Sequence, residues 1–444
     1  MLKVGLSQVE VTPSEPTHLA GYFNDRIATG TLDPLFVRAV VFDDGSQRSA
    51  IAVADICMLP RKYVLKAKRQ IVNATGLEPT QVILSATHTH TAPAPRKLFD
   101  VPEEQTYMDT VLLPALVKAL SSAQHNLRSA QVWLGSTVER GLAFCRRYRM
   151  KDGTVVTNPP KGHPDIVCPE AEIDHALTVF RFADGEQTLG VLVNINNHAD
   201  TTGGDKVSAD WPGHLSRIVA HDFGQVPVML LYGLSGNVNH FDPTKMHVQT
   251  GPEEARRIGE GYAALVQEAL AESQQVHTAP LAALSDTFAA PYRRVSTEQL
   301  RAAQTLVDQE FSGDGGNLTA EDLAKGSPVV EQMFAKMLLE FEAQFGAGEG
   351  SEELEIGVMR LGDIAIVGLP GEPFSQIGMR IKELSPYRHT CVMALANGSA
   401  GYVPLQEHFG SGGYETRTTP GNRFREDTGE VLIQRSVAAL KRLT

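Results

Sequence analysis

The sequence predicts an α/β protein with a large mixed, mostly parallel sheet, flanking helices and a helical insertion. Short apolar runs, typical of buried strands, alternate along the chain with stretches of helical spacing. This alternation favours a sheet with helices on its faces. Several of the apolar runs also end in turns rich in His, Glu, Asn, Gly and Tyr, and ligands bind at such strand ends in open α/β sheets.

The strands are predicted from apolar runs of five to nine residues. In chain order they are a strand from Lys3 onwards, Ala50–Ala54, Gln81–Ala86, Thr188–Asn194, Pro227–Leu231, Asp363–Gly368 and Thr390–Ala396. Helical spacing covers Arg61–Ala74, which Gly76 terminates. A second helix is expected over Thr106–Leu120, with a kink at Pro114.

A polar, helix-rich segment over 296–345 interrupts this pattern. Ser296 and Gln299 form a possible capping box, and the Gly-rich stretch Ser312–Asn317 divides the segment. We interpret it as a helical insertion that covers the main domain near the mouth of the site. A peripheral helical hairpin without a role in the chemistry remains the alternative.

Charge and cysteine content narrow the possible partners. The 444 residues carry 40 Lys and Arg against 52 Asp and Glu, a net charge of −12. Such a chain does not attract nucleic acid or anionic membrane surfaces, so we expect a small-molecule substrate. The four cysteines form no CxxC pair, and we find neither a signal peptide nor a membrane-spanning run. These features predict a cytoplasmic protein, and its oligomeric state is not predicted.

Histidine and glutamate follow three of the predicted strands. His88 and His90 come after Gln81–Ala86, His198 comes after Thr188–Asn194, and Glu372 comes after Asp363–Gly368. Alternate residues of a strand point the same way, so the rings of His88 and His90 are expected side by side. With a third His and a carboxylate they match a zinc site. The alternatives are a polar crevice without a metal, and Glu372 as a helix-dipole partner.

The turn GLSGNVNH follows the predicted strand Pro227–Leu231 and includes Gly236 and Asn237. Its glycines predict a tight backbone turn close to a ligand. Ser235 is a poor nucleophile candidate, because a GxSxG elbow needs its second glycine one residue later than Gly236.

Several motifs in order extend this interpretation. The segments GLSQVEVTP, ATHTHTAP, GNVNH, PGEPF and GYVPLQEHF…GGYE together resemble the neutral/alkaline (non-lysosomal) ceramidase family. The resemblance implies amide hydrolysis with one zinc ion. It also implies that residues 1–444 form a single ceramidase-like catalytic domain with 296–345 inserted. The chain resembles a divergent member that lacks the C-terminal β-sandwich, which makes a membrane lipid an unexpected substrate.

The resemblance also implies roles for individual residues. The implied zinc ligands are His88, His198, Glu372 and Tyr402. His90 lies beside the metal, Tyr414 supports the oxyanion, and Arg146 matches an arginine of the family, which suggests a substrate contact. The family's turn carries a serine where this chain has Asn239, which would position the substrate or a water together with Gly236 and Asn237.

The resulting prediction is a zinc-dependent hydrolase that attacks the carbonyl of a small amide, ester or lactone. Two alternatives stay open. One is a metal-dependent isomerase or lyase acting on a carbonyl substrate. The other is a catalytically inactive member that binds a ligand, which the missing serine would explain.

Overall fold

Three larger β-sheets meet around a shared apolar core, and helices cover their outer faces. The computed structural model describes residues 1–98, 101–309, 320–346 and 350–444. The predicted Gly-rich break Ser312–Asn317 lies outside these residues. Within them no helix is both long and apolar enough to cross a lipid bilayer.

The strands are numbered in chain order. They are β1 (Lys3–Glu10), β2 (Phe36–Asp43), β3 (Arg48–Ala54), β4 (Val82–Ala86), β5 (Arg128–Ser129), β6 (Gln131–Val138), β7 (Phe144–Cys145), β8 (Arg147–Met150), β9 (Val155–Thr157), β10 (Ile166–Pro169), β11 (Ala176–Asp184), β12 (Gln187–Ile195), β13 (Val228–Tyr232), β14 (Val238–Asn239), β15 (Gln274–Gln275), β16 (Leu281–Pro291), β17 (Ser351–Leu361), β18 (Ile364–Gly368), β19 (Glu372–Pro373), β20 (His389–Met393) and β21 (Tyr402–Val403).

The helices follow the same convention. They are α1 (Arg61–Thr75), α2 (Gln105–Tyr107), α3 (Leu113–His125), α4 (Asp210–Asp222), α5 (Pro252–Ala271), α6 (Thr297–Val307), α7 (Ala320–Lys325), α8 (Pro328–Phe345), α9 (Ser375–Leu384) and α10 (Thr428–Arg442). Gly76 ends α1 in a left-handed conformation, with φ 70°, as its sequence predicts. A π-helical turn, Met108–Leu112, joins α2 to α3, so the break expected at Pro114 lies just before that residue.

The three larger sheets are mixed, and antiparallel pairs predominate in each. Their strand orders are β4-β3-β2-β1-β5, β13-β12-β11-β6-β15 and β16-β17-β18-β20. The parallel pairs within them are β3–β4, β12–β13 and β18–β20. The expected α/β class is therefore confirmed, but the expectation of a mostly parallel sheet is wrong. Tight connections such as the one between β2 and β3 allow only antiparallel pairing.

Burial on both sheet faces explains why strands such as β2, which is antiparallel to both neighbours, have the sequence pattern of parallel strands. In β2, Val40 and Phe42 face the core shared by the three sheets, whereas Ala39 and Val41 face the helices. An antiparallel strand covered on both faces shows an unbroken apolar run, which is the pattern usually associated with parallel strands. The shared core holds side chains from all three sheets, such as Ile51, Leu192 and Ile366.

Candidate metal centre

The functional loops follow the parallel strands, and they meet although they belong to three different sheets. The loop after β4 joins the loop after β12 through His90 N and Ala199 O, 3.2 Å apart. The loops after β13 and β18 are joined by Gly236 N and Pro373 O, at 3.1 Å. Each of the three sheets thus contributes one parallel pair whose carboxyl ends carry these turns.

His88 owes its orientation to a left-handed turn. The residue lies beyond β4 and has φ 70°, an uncommon backbone conformation for a residue other than glycine. The expectation that strand pleating aligns His88 and His90 is therefore wrong, because both lie in the loop. The Nδ1 atom of His88 is 2.6 Å from the carbonyl oxygen of Cys57. A neutral ring that donates its proton there leaves a lone pair on Nε2.

The imidazole rings of His90 and His198 lie close to the Nε2 atom of His88. His90 Nε2 lies 3.4 Å from His88 Nε2 and 3.2 Å from His198 Nε2, and all three rings are buried. The indole of Trp211 donates to the backbone oxygen of His198 at 2.8 Å and fixes that loop. Gly21 packs on His90 with φ 101°, and a Cβ atom there would lie 2.5 Å from His90 Nδ1. Glycine is therefore required at this contact.

Glu372 approaches the rings from the third sheet. It pairs in register with Tyr402 in the short parallel ribbon β19–β21, so the two predicted ligands are adjacent. Its Oε2 atom lies 3.2 Å from His88 Nε2 and has no hydrogen-bond partner among the described residues. His88, His198 and Glu372 each present a donor atom within 4.8 Å of the others. Two buried acceptors that face each other need a proton or a metal ion between them, and the types of donor atom here fit a metal ion.

The electrostatics favour neutral imidazoles around one positive charge. Burial, together with the charge of His88, lowers the pKa of His90 and His198 well below the usual range. Burial also acts to lower the pKa of His88, but Tyr232 and Glu372 outweigh it and raise the pKa well above its ordinary value. Burial raises the pKa of the Glu372 carboxyl, and the neighbouring His88 reverses the shift, so its pKa is lowered. Positive charge is therefore favoured between His88 and Glu372.

The cluster lies in the wall of a cavity of about 1170 Å³. Tyr402, Tyr414 and Arg146 line the same cavity, and the two tyrosine rings are 5.4 Å apart. Burial raises the pKa of both phenols, so each stays protonated unless a cation is adjacent. The segment 296–345 contributes to the lining through α7 and α8, with Phe334 of α8 packed against Tyr414. These contacts favour the interpretation of the segment as a cover near the site.

Arg146 is held by a buried carboxylate. Its Nε atom lies 2.7 Å from Glu415 Oε1, and its guanidinium lies 4.8 Å above the Tyr402 ring. Glu415 also binds Arg147 at 2.6 Å and accepts from Thr157 at 2.8 Å. Burial raises the pKa of Glu415, but the two guanidiniums outweigh it and hold the pKa below its usual value. The network fixes the wall that carries both tyrosines.

The remaining predicted residues lie behind the cavity wall. Gly236 donates to the backbone beside Glu372, and its carbonyl accepts from Arg146 at 2.8 Å. Asn237 accepts from the Ser375 amide at 2.9 Å. Asn239 donates to Asn158, a lining residue, at 2.8 Å. The expected substrate contacts of Gly236, Asn237 and Asn239 stay predictions, and the geometry gives all three a supporting position.

Cys57 and Arg96 line the cavity, and the sequence predicts a role for neither of them. Cys57, which directs the His88 ring, follows β3, so the strand-end pattern that identified the histidines also applies to it. Arg96 lines the cavity eight residues beyond His88, and no motif marks it. Asp200, two residues after His198, accepts a hydrogen bond from Tyr22, and its Oδ1 atom lies 3.4 Å from His90 Nδ1.

Comparisons with known proteins identify the fold. No protein-family model matches the chain. The chain is similar to the neutral ceramidase from Pseudomonas aeruginosa, with a TM-score of 0.73 and 19% identity, covering 100% of this chain and 74% of that one. A ceramidase complexed with C2 gives a TM-score of 0.73 and 18% identity, covering 100% and 75%. The chain therefore has the fold of neutral ceramidases, as its motifs indicate.

Proposed function

We propose that the protein is a zinc-dependent hydrolase of a small amide, ester or lactone. His88, His198, Glu372 and Tyr402 would hold one zinc ion. The observation that carries this proposal is the 3.2 Å approach of His88 Nε2 to Glu372 Oε2, two buried acceptors that face each other. Imidazole and carboxylate groups are common ligands of catalytic zinc. The shared fold with neutral ceramidases supports hydrolysis.

The residues around the cluster have separate tasks in this reaction. A bound zinc ion would polarise the substrate carbonyl and make a water molecule acidic enough to react at neutral pH. The protonated Tyr414 hydroxyl would donate to the carbonyl oxygen as it gains negative charge. His90, whose Nε2 atom faces His88 and His198, would take the proton released during attack. Arg146, fixed by Glu415, would hold Tyr402 in position.

Metal analysis combined with a substrate panel tests the proposal. The purified chain should hold one zinc ion and should hydrolyse N-acyl, ester or lactone compounds. His198→Ala and Glu372→Ala should lose the metal and reduce turnover by more than about 100-fold, since changes in outer partners of metal sites already cost that much. His221→Ala and Glu253→Ala, at exposed positions, are the matched controls.

Product mass separates hydrolysis from the alternatives. Hydrolysis adds one water to the substrate, whereas isomerisation leaves its mass unchanged. Products without added water, or zinc that stays bound in both alanine variants, would contradict the proposal.

A further inference from the structure

We propose that the substrate carries a carboxylate and that Arg96 binds it. This inference rests on the proposed hydrolase function and narrows its substrate to small acyl compounds with an anionic group. It depends on a half-buried guanidinium in the cavity wall that has no hydrogen-bond or ion-pair partner within the described part of the chain.

Arg96 is half-buried in the lining of the cavity, and among the described residues it forms no hydrogen bond and no ion pair. Other lining guanidiniums are neutralised: Arg146 by Glu415 at 2.7 Å, and Arg417 by Glu331 at 2.7 Å. A half-buried charge without a counter-ion is unfavourable, so an anion that enters the cavity gains by pairing with it.

The residues around Arg96 also favour the binding of an anion to its guanidinium. Burial, and then the neighbouring charge of Arg423, lower the pKa of Arg96, and the carboxylates of Glu352 and Glu372 do not offset them. Arg423 itself is paired with Glu352 at 2.8 Å. A guanidinium stays charged at neutral pH, and its planar fork matches the two oxygens of a carboxylate. With a net charge of −12, the chain as a whole repels anions, so selection for one must come from a local group such as Arg96.

Arg96, His88, His198 and Glu372 line the same cavity, so one small molecule in that cavity could contact both Arg96 and the histidine–glutamate cluster. A carboxylate at Arg96 would therefore belong to the same molecule as the carbonyl that is attacked. Two classes have this form: N-acyl amino acids, with the carboxylate on the amine part, and monoamides of dicarboxylic acids, with the carboxylate on the acyl part.

The test compares acids with their neutral counterparts in the zinc-loaded enzyme. N-acyl amino acids are paired with the corresponding N-acyl amino acid amides, and dicarboxylic monoamides with their methyl esters. We expect a preference for the acid in one class, which identifies the side that bears the carboxylate. Arg96→Met should lower kcat/KM for that acid by about 10- to 100-fold, the range for a charge-assisted hydrogen bond, and leave the neutral counterpart little changed. Arg96→Lys should retain part of the preference.

Arg417→Met is the matched control, because it removes a cation that lines the same cavity but is already paired. It should leave the ratio of acid to neutral turnover unchanged. The inference is overturned if Arg96→Met slows acid and neutral compounds equally, or if Arg417→Met abolishes the preference as strongly.

Failure of the proposed function has a different signature, which is that the zinc-loaded protein hydrolyses neither acids nor neutral compounds. Calorimetric binding of N-acetylglycine and N-acetylglycinamide then decides the role of Arg96. Tighter binding of the acid that disappears in Arg96→Met supports the carboxylate site, and equal binding of the two compounds overturns it.

Discussion

Replacing Gly21 with alanine tests whether the packing on His90 is needed for activity. A Cβ atom at this position would lie 2.5 Å from His90 Nδ1, whereas ordinary van der Waals contacts between such atoms begin at about 3.5 Å. The ring must therefore move by about 1 Å, and a displacement of this size in an active site costs about 100-fold in rate. That factor corresponds to about 2.7 kcal/mol of transition-state stabilisation.

Gly45→Ala controls for backbone strain. Gly45 has φ 90°, close to the φ 101° of Gly21, but a Cβ atom there meets nothing within 4 Å. Both variants should lose about 1–3 kcal/mol of stability, because both force alanine into the left-handed region. Only Gly21→Ala should also lose activity, measured as kcat/KM of the zinc-loaded enzyme on the best substrate of the panel. Equal activities in the two variants would refute the role assigned to the His90 position.

Three further predictions concern the supporting network. Glu415→Gln removes the carboxylate between two buried guanidiniums and should cost about 3–5 kcal/mol in urea denaturation at pH 7; a loss below about 1 kcal/mol would count against the network. For Glu170, burial raises the pKa, but His408 and Arg147 lower it to about 2, so its stabilisation is complete above pH 4.5 and fades as the pH falls to 2. The free energy of unfolding of Glu170→Gln should therefore be lower than that of the parent at pH 7 and equal to it near pH 2. A difference in unfolding free energy that does not change with pH would contradict this. Asn239→Ser should change kcat/KM only a few-fold, because Asn239 lies behind the wall; a large gain in hydrolysis would show that a serine here takes part in catalysis.

The existence of the strands was predictable, but their directions were not. Apolar runs such as the one in β2 report burial, and burial on both faces removes the alternation that distinguishes antiparallel from parallel strands. Strand direction depends on connection length and on which sheet each strand joins, and both are set by tertiary packing. The prediction succeeded for the loops because each of them follows a strand of a parallel pair.

The site shows the same division between local and tertiary information. His88, His198 and Glu372 were identifiable because zinc-binding residue types recur after strands. Arg96 could not be identified in this way, because the role proposed for it depends on its having no partner among the described residues, and the partners of a side chain are known only in the folded state. Asn237 shows the converse, since a polar residue in a Gly-rich turn has the same sequence signature whether it contacts a ligand or the backbone.

Because each of the three sheets contributes one of the residues His88, His198 and Glu372, the metal ion proposed above would bind only late in folding. His88, His198 and Glu372 are far apart in the sequence, so the loops between them must close before the donors meet. An ion bound only by the folded chain adds about 2.7 kcal/mol at 100 times its Kd. The ion would then link the three sheets, and its removal by a chelator would lower the free energy of unfolding of the whole domain rather than alter the cavity alone.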